Sequence, residues 1–278
     1  MVDMHMKILL TGGSGFIGGY IAKALTLADH ELVMASRSNG VDFNRMLNAS
    51  DWLPYLQGVD AVINSVGIIA EIRGQRFYEL HTQAPIALFQ ACEKAGVKRV
   101  IQISALGADE AAFTPYQLSK KAADDYLRSL SLAWFILRPS LVYGAGGKSA
   151  ALFEFMANLP LLPVIEQGKQ SIQPVHINDL VDGVLACLDA TPAQRTIDVV
   201  GPTAIIFAEW LQRLRAKNGK HTARTLSVPF KFMLAFSHLG RFVAPLLHPD
   251  NLRMLQQGNS ADAQPLSKLL GRNPHDVP

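Results

Sequence analysis

Short apolar runs alternate along the chain with longer stretches whose apolar positions recur every three or four residues, which predicts repeated strand–helix units around a parallel sheet. Residues 7–10 read as a first strand, 16–28 as a helix and 31–35 as a second strand. Further strands are expected over 61–66, 99–104 and 134–137, with helices over 77–95 and 117–130. The runs Asp60-Ala-Val-Ile-Asn64 and Arg99-Val-Ile-Gln-Ile-Ser104 show little polar alternation, which suits strands covered on both faces. The expected fold class is α/β, a doubly wound parallel sheet of the Rossmann type followed by a small α-rich region.

Beyond residue 144 the alternation loosens into segments bearing Gly and Pro, with helices expected over 150–158 and 179–188. A soft boundary near 201 divides the chain into a main domain, 1–200, and a small basic C-terminal region, 201–278. Phe232, Met233, Phe236, Leu239, Val243 and Leu246 form one helical apolar stripe, read first as core and second as a lipid-facing surface. The tail, 256–278, reads as weakly structured.

With 278 residues, 49% hydrophobic and 18% charged, the chain can bury a sizeable core, so a disordered or fibrous protein is excluded. The net charge of +3 is too small to indicate nucleic-acid binding. Its distribution is uneven: ten basic residues face four acidic ones from Thr203 onward. That region is either an ordinary solvated surface or one that meets an anionic partner, a membrane surface or a membrane complex. Cys92 and Cys187 lie in helix-like runs with no metal-ligand spacing, which fits a reducing compartment without disulfide or zinc. No signal peptide is read at the start, and Lys231, His238 and Arg241 interrupt the apolar stretch 229–249. The expectation is a soluble cytoplasmic protein, at most peripheral to the inner membrane face.

The first strand runs into Thr11-Gly-Gly-Ser-Gly-Phe-Ile-Gly18, directly before the first helix. Gly13, Gly15 and Gly18 satisfy GxGxxG, while Gly12, Gly15 and Gly18 satisfy a second register behind Thr11. Between a strand and a helix, such glycines let a dinucleotide pyrophosphate approach the helix N-terminus, with Ser14, Phe16 and Ile17 filling the turn. Where an acidic residue would read a free ribose 2′-hydroxyl, the chain has Ser36 and Arg37, which favours NADP (NADPH) over NAD, although NAD also fits the fingerprint. Asp42 and Phe43 follow at a spacing suited to the adenine edge. Asn64, Ser65, Val66 and Gly67 end a buried strand and are expected to pass beneath the cofactor.

Of the six tyrosines only Tyr116 has a lysine four residues on, Lys120, opening a helix after a strand that ends in Ser104. On one helix face, Lys120 is expected to lie beneath the Tyr116 phenol and lower its pKa. Tyr116 would then serve as a general acid–base for a hydroxyl or carbonyl, with Ser104 holding the reacting oxygen.

Together with Arg138-Pro-Ser-x-Val-Tyr-Gly144 and Val175-His-Ile-Asn-Asp179, these motifs resemble the short-chain dehydrogenase/reductase superfamily over roughly residues 6–190, on the side of the nucleotide-sugar epimerases. Asn64-Ser-Val-Gly-Ile-Ile-Ala-Glu71, Ser104-Ala-Leu-Gly-Ala108 and Tyr116-Gln-Leu-Ser-Lys-Lys-Ala122 are similar to its atypical branch, which contains the NADPH-binding accessory subunit of respiratory complex I. The resemblance implies that Pro139 and Ser140 line the nicotinamide side, that 173–179 lies beside the substrate pocket, and that the chain can be one portion of a longer product. His81 stands where the superfamily usually has an Asn, so a proton relay through that position is altered or absent; His81 reads as a packing residue. Three functions follow as expectations. The first is an NADP(H)-dependent oxidoreductase or epimerase-like enzyme acting on a hydroxyl or ketone of a small-molecule substrate, lipid-like or quinone-like. The second is a non-catalytic NADPH-binding assembly protein, and the third a nucleotide-sugar epimerase or dehydratase. Oligomeric state is not legible.

Overall fold

The computed structural model describes residues 5–71, 74–240 and 248–278. Six parallel strands make the central sheet: β1 (Lys7–Thr11), β2 (Glu31–Ala35), β3 (Ala61–Asn64), β4 (Arg99–Ile103), β5 (Ala133–Pro139) and, joined much later in the chain, β10 (Arg195–Val199). Their order is β2-β1-β3-β4-β5-β10. The chain leaves β1 on one side for β2 and returns on the other for β3, so a topological switch point opens above the C-terminal ends of β1 and β3, where ligands of doubly wound folds bind.

Both faces of the sheet are covered, as the unbroken apolar strands predict. Leu9, Val62, Val100 and Ile136 face Trp52 of α2 (Ala49–Trp52), Leu88 of α3 (Ala84–Ala95) and Leu127 of α4 (Pro115–Arg128). Ile8, Leu10, Ile63, Ile101 and Phe135 face Ile21 and Leu25 of α1 (Phe16–Leu27) and Leu180 and Val184 of α6 (Ile177–Asp189). Successive strand residues point to opposite faces, so a run that is apolar throughout needs helices on both.

The helix expected over 77–95 is not uniform: Tyr78–Gln83 form a wide π turn before α3. Pro85 enters in the first turn of α3 without a backbone N–H, and the wide turn carries the buried His81, which meets the loop after β3. A smaller lobe gathers Tyr143 of β6 (Val142–Tyr143), Phe153 of α5 (Lys148–Ala157), Leu162 of β7 (Leu162–Ile165), and Phe207, Trp210 and Leu214 of α7 (Phe207–Lys217). Short strands β8 (Ser171–Ile172), β9 (Val175–His176), β11 (Ile205–Ile206) and β12 (Thr225–Val228) stitch this lobe together in pairs.

The tail is ordered, contrary to the sequence expectation. After α8 (Phe230–Gly240) come α9 (Pro249–Gln257) and α10 (Gln264–Leu270). Leu266 of α10 is fully buried against the α6 face of the sheet. Beyond it Arg272 Nη1, the His275 backbone N–H and His275 Nδ1 all meet the buried Asp179 carboxylate, at 2.7, 2.8 and 2.7 Å. These long-range polar contacts are invisible to periodicity, which is why the tail read as loose. In the expected apolar stripe Phe232 is exposed and Met233 half-buried. The side chains of Phe236 and Leu239, and the whole of Val243 and Leu246, lie outside the described residues. Among the described residues no helix is long and apolar enough to cross a membrane.

Candidate active site

The glycine turn closes over the switch point. Thr11 ends β1 fully buried, and Gly12 turns with φ +73°, where a Cβ would stand 2.9 Å from the Ser65 backbone. At Gly18 a Cβ would stand 2.2 Å from the Gly12 carbonyl oxygen, so helix and turn touch backbone to backbone. Gly13 is buried against Met34, whereas Ser14 and Gly15 are exposed above it and Phe16 and Ile17 are half-buried. Ser65 Oγ donates to the Thr11 carbonyl at 2.6 Å, tying the loop after β3 to the turn. No side chain caps α1. Its first-turn N–H groups, at the positive end of the helix dipole, are therefore free for an anion. An uncapped helix behind a cradle that a Cβ would fill fits a dinucleotide pyrophosphate.

At the end of β2, Ser36 is buried with its hydroxyl 2.7 Å from that of Ser38. Arg37 is exposed, and its guanidinium makes no hydrogen bond or ion pair with the described residues. Asp42 Oδ1 accepts from the backbone and side chain of Asn44, at 3.1 and 2.9 Å, and so builds a turn. The Phe43 side chain is buried edge-on to Trp52, ring centroids 5.0 Å apart. Phe43 thus has its side chain in the core rather than free to meet an adenine.

Thr114 caps α4, its Oγ1 accepting from the Gln117 N–H at 3.2 Å, and Tyr116 sits in the first turn. Lys120 is buried one turn on, with Nζ donating to the Val66 and Ile103 carbonyls, each at 3.1 Å. Its ammonium lies under Gly67, 3.2 Å from where a Cβ would stand. The expected lowering of the Tyr116 pKa by Lys120 is not what these surroundings produce. Burial, reinforced by the Asp124 carboxylate, pushes the Tyr116 phenol up to about 12. Burial brings Lys120 down to about 8, with Asp124 opposing. The Tyr116 hydroxyl makes no hydrogen bond among the described residues; its ring stands edge-on to Phe77 and His81, centroids 5.8 and 5.5 Å away. Burial and then the Lys120 charge hold His81 neutral, well below its ordinary pKa. His81 Nε2 accepts from the Ile68 N–H at 2.9 Å and Nδ1 meets Ser119 Oγ at 3.0 Å, so this residue fastens the loop above the cleft to α4.

Ser104 continues β4 by donating its N–H to Leu137 O at 2.8 Å, but its hydroxyl donates to the Asp124 carboxylate inside the protein. Asp124 was not singled out from the sequence. It lies four residues after Lys120 and eight after Tyr116, a one-face spacing that could have found it. Gln102 was missed as well: Thr11 Oγ1 donates to Asn64 Oδ1 at 2.6 Å, and Asn64 Nδ2 to Gln102 Oε1 at 2.7 Å. A polar residue in an otherwise apolar strand was its signal. Asn64 thus serves this buried chain, and Val66 serves Lys120.

Pro139 ends β5, pairing with Val199. Ser140 Oγ is committed to the Gln173 carbonyl at 2.6 Å. Asp179 holds the tail, so of the stretch expected at the substrate pocket its carboxylate is structural. Over the cleft, Asn251 Nδ2 of α9 donates to Ile69 O at 3.2 Å. Beside it an open groove of about 390 Å³ runs between Ala111 and Phe113 on one side and Arg253, Gln256 and Gln257 on the other.

The model of the NAD dependent epimerase/dehydratase family matches residues 8–200. A ceramide reductase of Caulobacter vibrioides is 28% identical over 198 residues, covering 66% of this chain and 61% of that protein. Subunit 9 of the NADH dehydrogenase [ubiquinone] 1 alpha subcomplex of Mus musculus is 25% identical over 70% of this chain and 57% of its own length. The chain therefore spans less than two thirds of both relatives. In fold it is similar to a UDP-glucuronic acid 4-epimerase from Bacillus cereus, with a TM-score of 0.71 at 20% identity, covering 98% of this chain and 95% of the other. With residues 8–200 matched, the chain belongs to the NAD dependent epimerase/dehydratase family.

Proposed function

We propose that the protein is an NADP(H)-dependent reductase of a ketone on a hydrophobic small molecule, with Tyr116 as proton donor. The observation that carries this reading is the Tyr116 hydroxyl, held protonated by burial and without a partner among the described residues, one helical turn before the buried Lys120. Hydride transfer is the chemistry a nicotinamide dinucleotide supplies when bound. The chain's own residues do the rest. The α1 N-terminus and Gly12–Gly18 turn hold the pyrophosphate, Arg37 with Ser36 and Ser38 meets the 2′-phosphate, and Lys120, with one donor left beyond its two carbonyls, reaches the ribose hydroxyls. Tyr116 gives its proton to the developing alkoxide. Phe113, 44% exposed at the groove, offers an apolar surface to the substrate, in line with the likeness to a ceramide reductase.

A second reading, nucleotide binding without turnover, is favoured by one observation: the Ser104 hydroxyl is committed to Asp124, and Ala105 after it has none to offer. The likeness to a complex I subunit points the same way. Releasing the nucleotide from freshly purified protein, identifying it by mass spectrometry and timing its replacement by labelled NADPH separates the two. Rapid exchange, with ketone or quinone reduction that Tyr116→Phe abolishes, supports the reductase. Retention over hours with no reduction supports the binder, and NAD as the released nucleotide overturns the part given to Arg37.

A further inference from the structure

Among the described residues Lys120 has no anion in contact. Its two protein partners are neutral carbonyls, the ring beside it is the neutral His81, and no carboxylate comes within ion-pair distance. Such an ammonium, buried in the floor of the cleft, would lose its proton near neutral pH unless a negative charge stood behind it. The one carboxylate that acts on it is Asp124, one turn further along the same face of α4 and fully buried.

Asp124 is itself built in. Ser104 donates to Oδ2, while Oδ1 is buried without a hydrogen-bond partner, as is Gln102 Nε2. The Gln102 amide nonetheless acts on the carboxyl, favouring its charged form. Gln102 is in turn the end of the chain Thr11–Asn64–Gln102, which starts at the last residue before the glycine turn. The groups that face Asp124 are thus Lys120, Tyr116 and Arg128 on its own helix, Gln102 on β4 and Ser104 just beyond it. Those that face Lys120 are Asp124 and, from the π turn, His81. Asp124 has no route to solvent or substrate of its own, so its charge serves its neighbours.

We propose that Asp124 is a positioning residue for the dinucleotide: held by Ser104 and Gln102, its carboxylate keeps Lys120 an ammonium at the floor of the cleft, ready for the cofactor's ribose hydroxyls. This rests on reading the cleft as a dinucleotide site. Asp124 touches neither cofactor nor substrate and acts through Lys120. A purely structural Asp124 would change stability and leave the pH dependence of binding where it was.

The test is the dissociation constant of NADPH, read by its fluorescence from pH 5.5 to 9, for the unaltered protein and for Asp124→Asn. Asn keeps a carbonyl for the Ser104 hydroxyl and removes only the charge. The 2′-phosphate of the ligand titrates near about 6 in both cases, so the difference between the two proteins is what counts. Affinity of the unaltered protein is expected to fall above about pH 8, where Lys120 discharges. In Asp124→Asn the fall should begin about one pH unit lower, and the two proteins should bind alike below about pH 6, where Asp124 takes up its proton. Ser104→Ala is the second variant. It strips the hydrogen bond that favours the charged carboxyl and should move the fall in the same direction by less. If Asp124→Asn does not fold, that shift alone decides. Binding by all proteins with an unmoved midpoint overturns the proposal and leaves the dinucleotide reading standing; no binding of NADPH or NADH by the unaltered protein overturns both.

Discussion

Ser104 gives its hydroxyl to Asp124 across the gap between β4 and α4, so the serine that spacing assigned to a substrate oxygen faces into the protein. The residue after it, Ala105, has no hydroxyl, so on the proposed reductase reading a substrate oxygen is left to Tyr116. Tyr116→Phe is therefore expected to lower kcat by about 10²–10⁴-fold, the usual contribution of a positioned acid–base. Because the phenol hydroxyl has no partner among the described residues, the same change should leave stability within about 0.5 kcal/mol. Ser104→Ala, at saturating cofactor, should keep kcat within about threefold. Steady-state kinetics and urea unfolding of both variants check this, and a Ser104→Ala loss as deep as that of Tyr116→Phe would return the serine to the chemistry.

The same carboxyl makes stability depend on pH in an unusual direction. Burial raises Asp124 to about 6 from 3.8. Between those values the folded protein holds a proton that the unfolded chain has released, so stability falls as pH rises through the window. The span corresponds to about 3 kcal/mol. Lys120, lowered from 10.5 to about 8, works oppositely: above pH 8 the folded protein has lost a proton that the unfolded chain keeps, and stability rises. These two groups put the minimum of the cofactor-free protein between about pH 6 and 8. Urea unfolding should show the unaltered protein gaining on Asp124→Asn by up to about 3 kcal/mol between pH 7 and pH 4. A flat difference would mean an unperturbed carboxyl.

The sheet strands and the glycine cradle were legible because both are local: β2 falls where its apolar run predicts, and the turn needs only Gly12, Gly15 and Gly18 in register. Tyr116 and Lys120 were found by helical spacing, which places residues on a face but does not say what that face meets. Here it meets the carbonyls of Val66 and Ile103, so the lysine sits beneath the loop after β3. What Asp124, Gln102 and Asp179 bond to lay beyond reach for one reason, even though helical spacing marked Asp124 and its polarity in an apolar strand marked Gln102. Each is defined by a partner between 20 and 96 residues away, which no window of the sequence contains.

Gly15 and Gly18 should respond differently to Ala. At Gly18 the added Cβ would stand 2.2 Å from the Gly12 oxygen and 2.7 Å from Ser65 Oγ, so the helix must move off the turn. Overpacking of this kind costs about 1–3 kcal/mol, and Gly18→Ala should lower Tm and cofactor affinity together. Gly15 is exposed, with only the Gly12 oxygen near, at 3.2 Å. Gly15→Ala should fold almost normally and lose affinity for dinucleotide, because its methyl enters the space left for the pyrophosphate. Thermal melts with and without NADPH distinguish the two.

Among the described residues Arg37 stands free just after β2, next in the chain to Ser36 and Ser38. A charge-assisted hydrogen bond to a 2′-phosphate contributes about 1.5–3 kcal/mol. Arg37→Ala should therefore weaken NADPH by about 10- to 100-fold, leave NADH unchanged, and leave the exposed site's stability untouched. Paired titrations with the two nucleotides give the answer; an equal loss for both would make Arg37 a general anion contact rather than a reader of the 2′ position.

The Asp179 latch makes the last residues part of the sheet domain's stability. Asp179 is fully buried in the first turn of α6, and among the described residues its carboxylate is met from Arg272 and His275. Removing 272–278 leaves a buried charge without a counterion, and breaking such a pair from one side costs about 3–5 kcal/mol. Asp179→Asn combined with the truncation leaves no charge behind and should recover a large part of that loss. If the truncated protein unfolds in urea at the same midpoint as the full chain, the tail is an ornament on α6; if the double change restores what the truncation removes, the tail is the counterion that lets α6 begin with a buried acid.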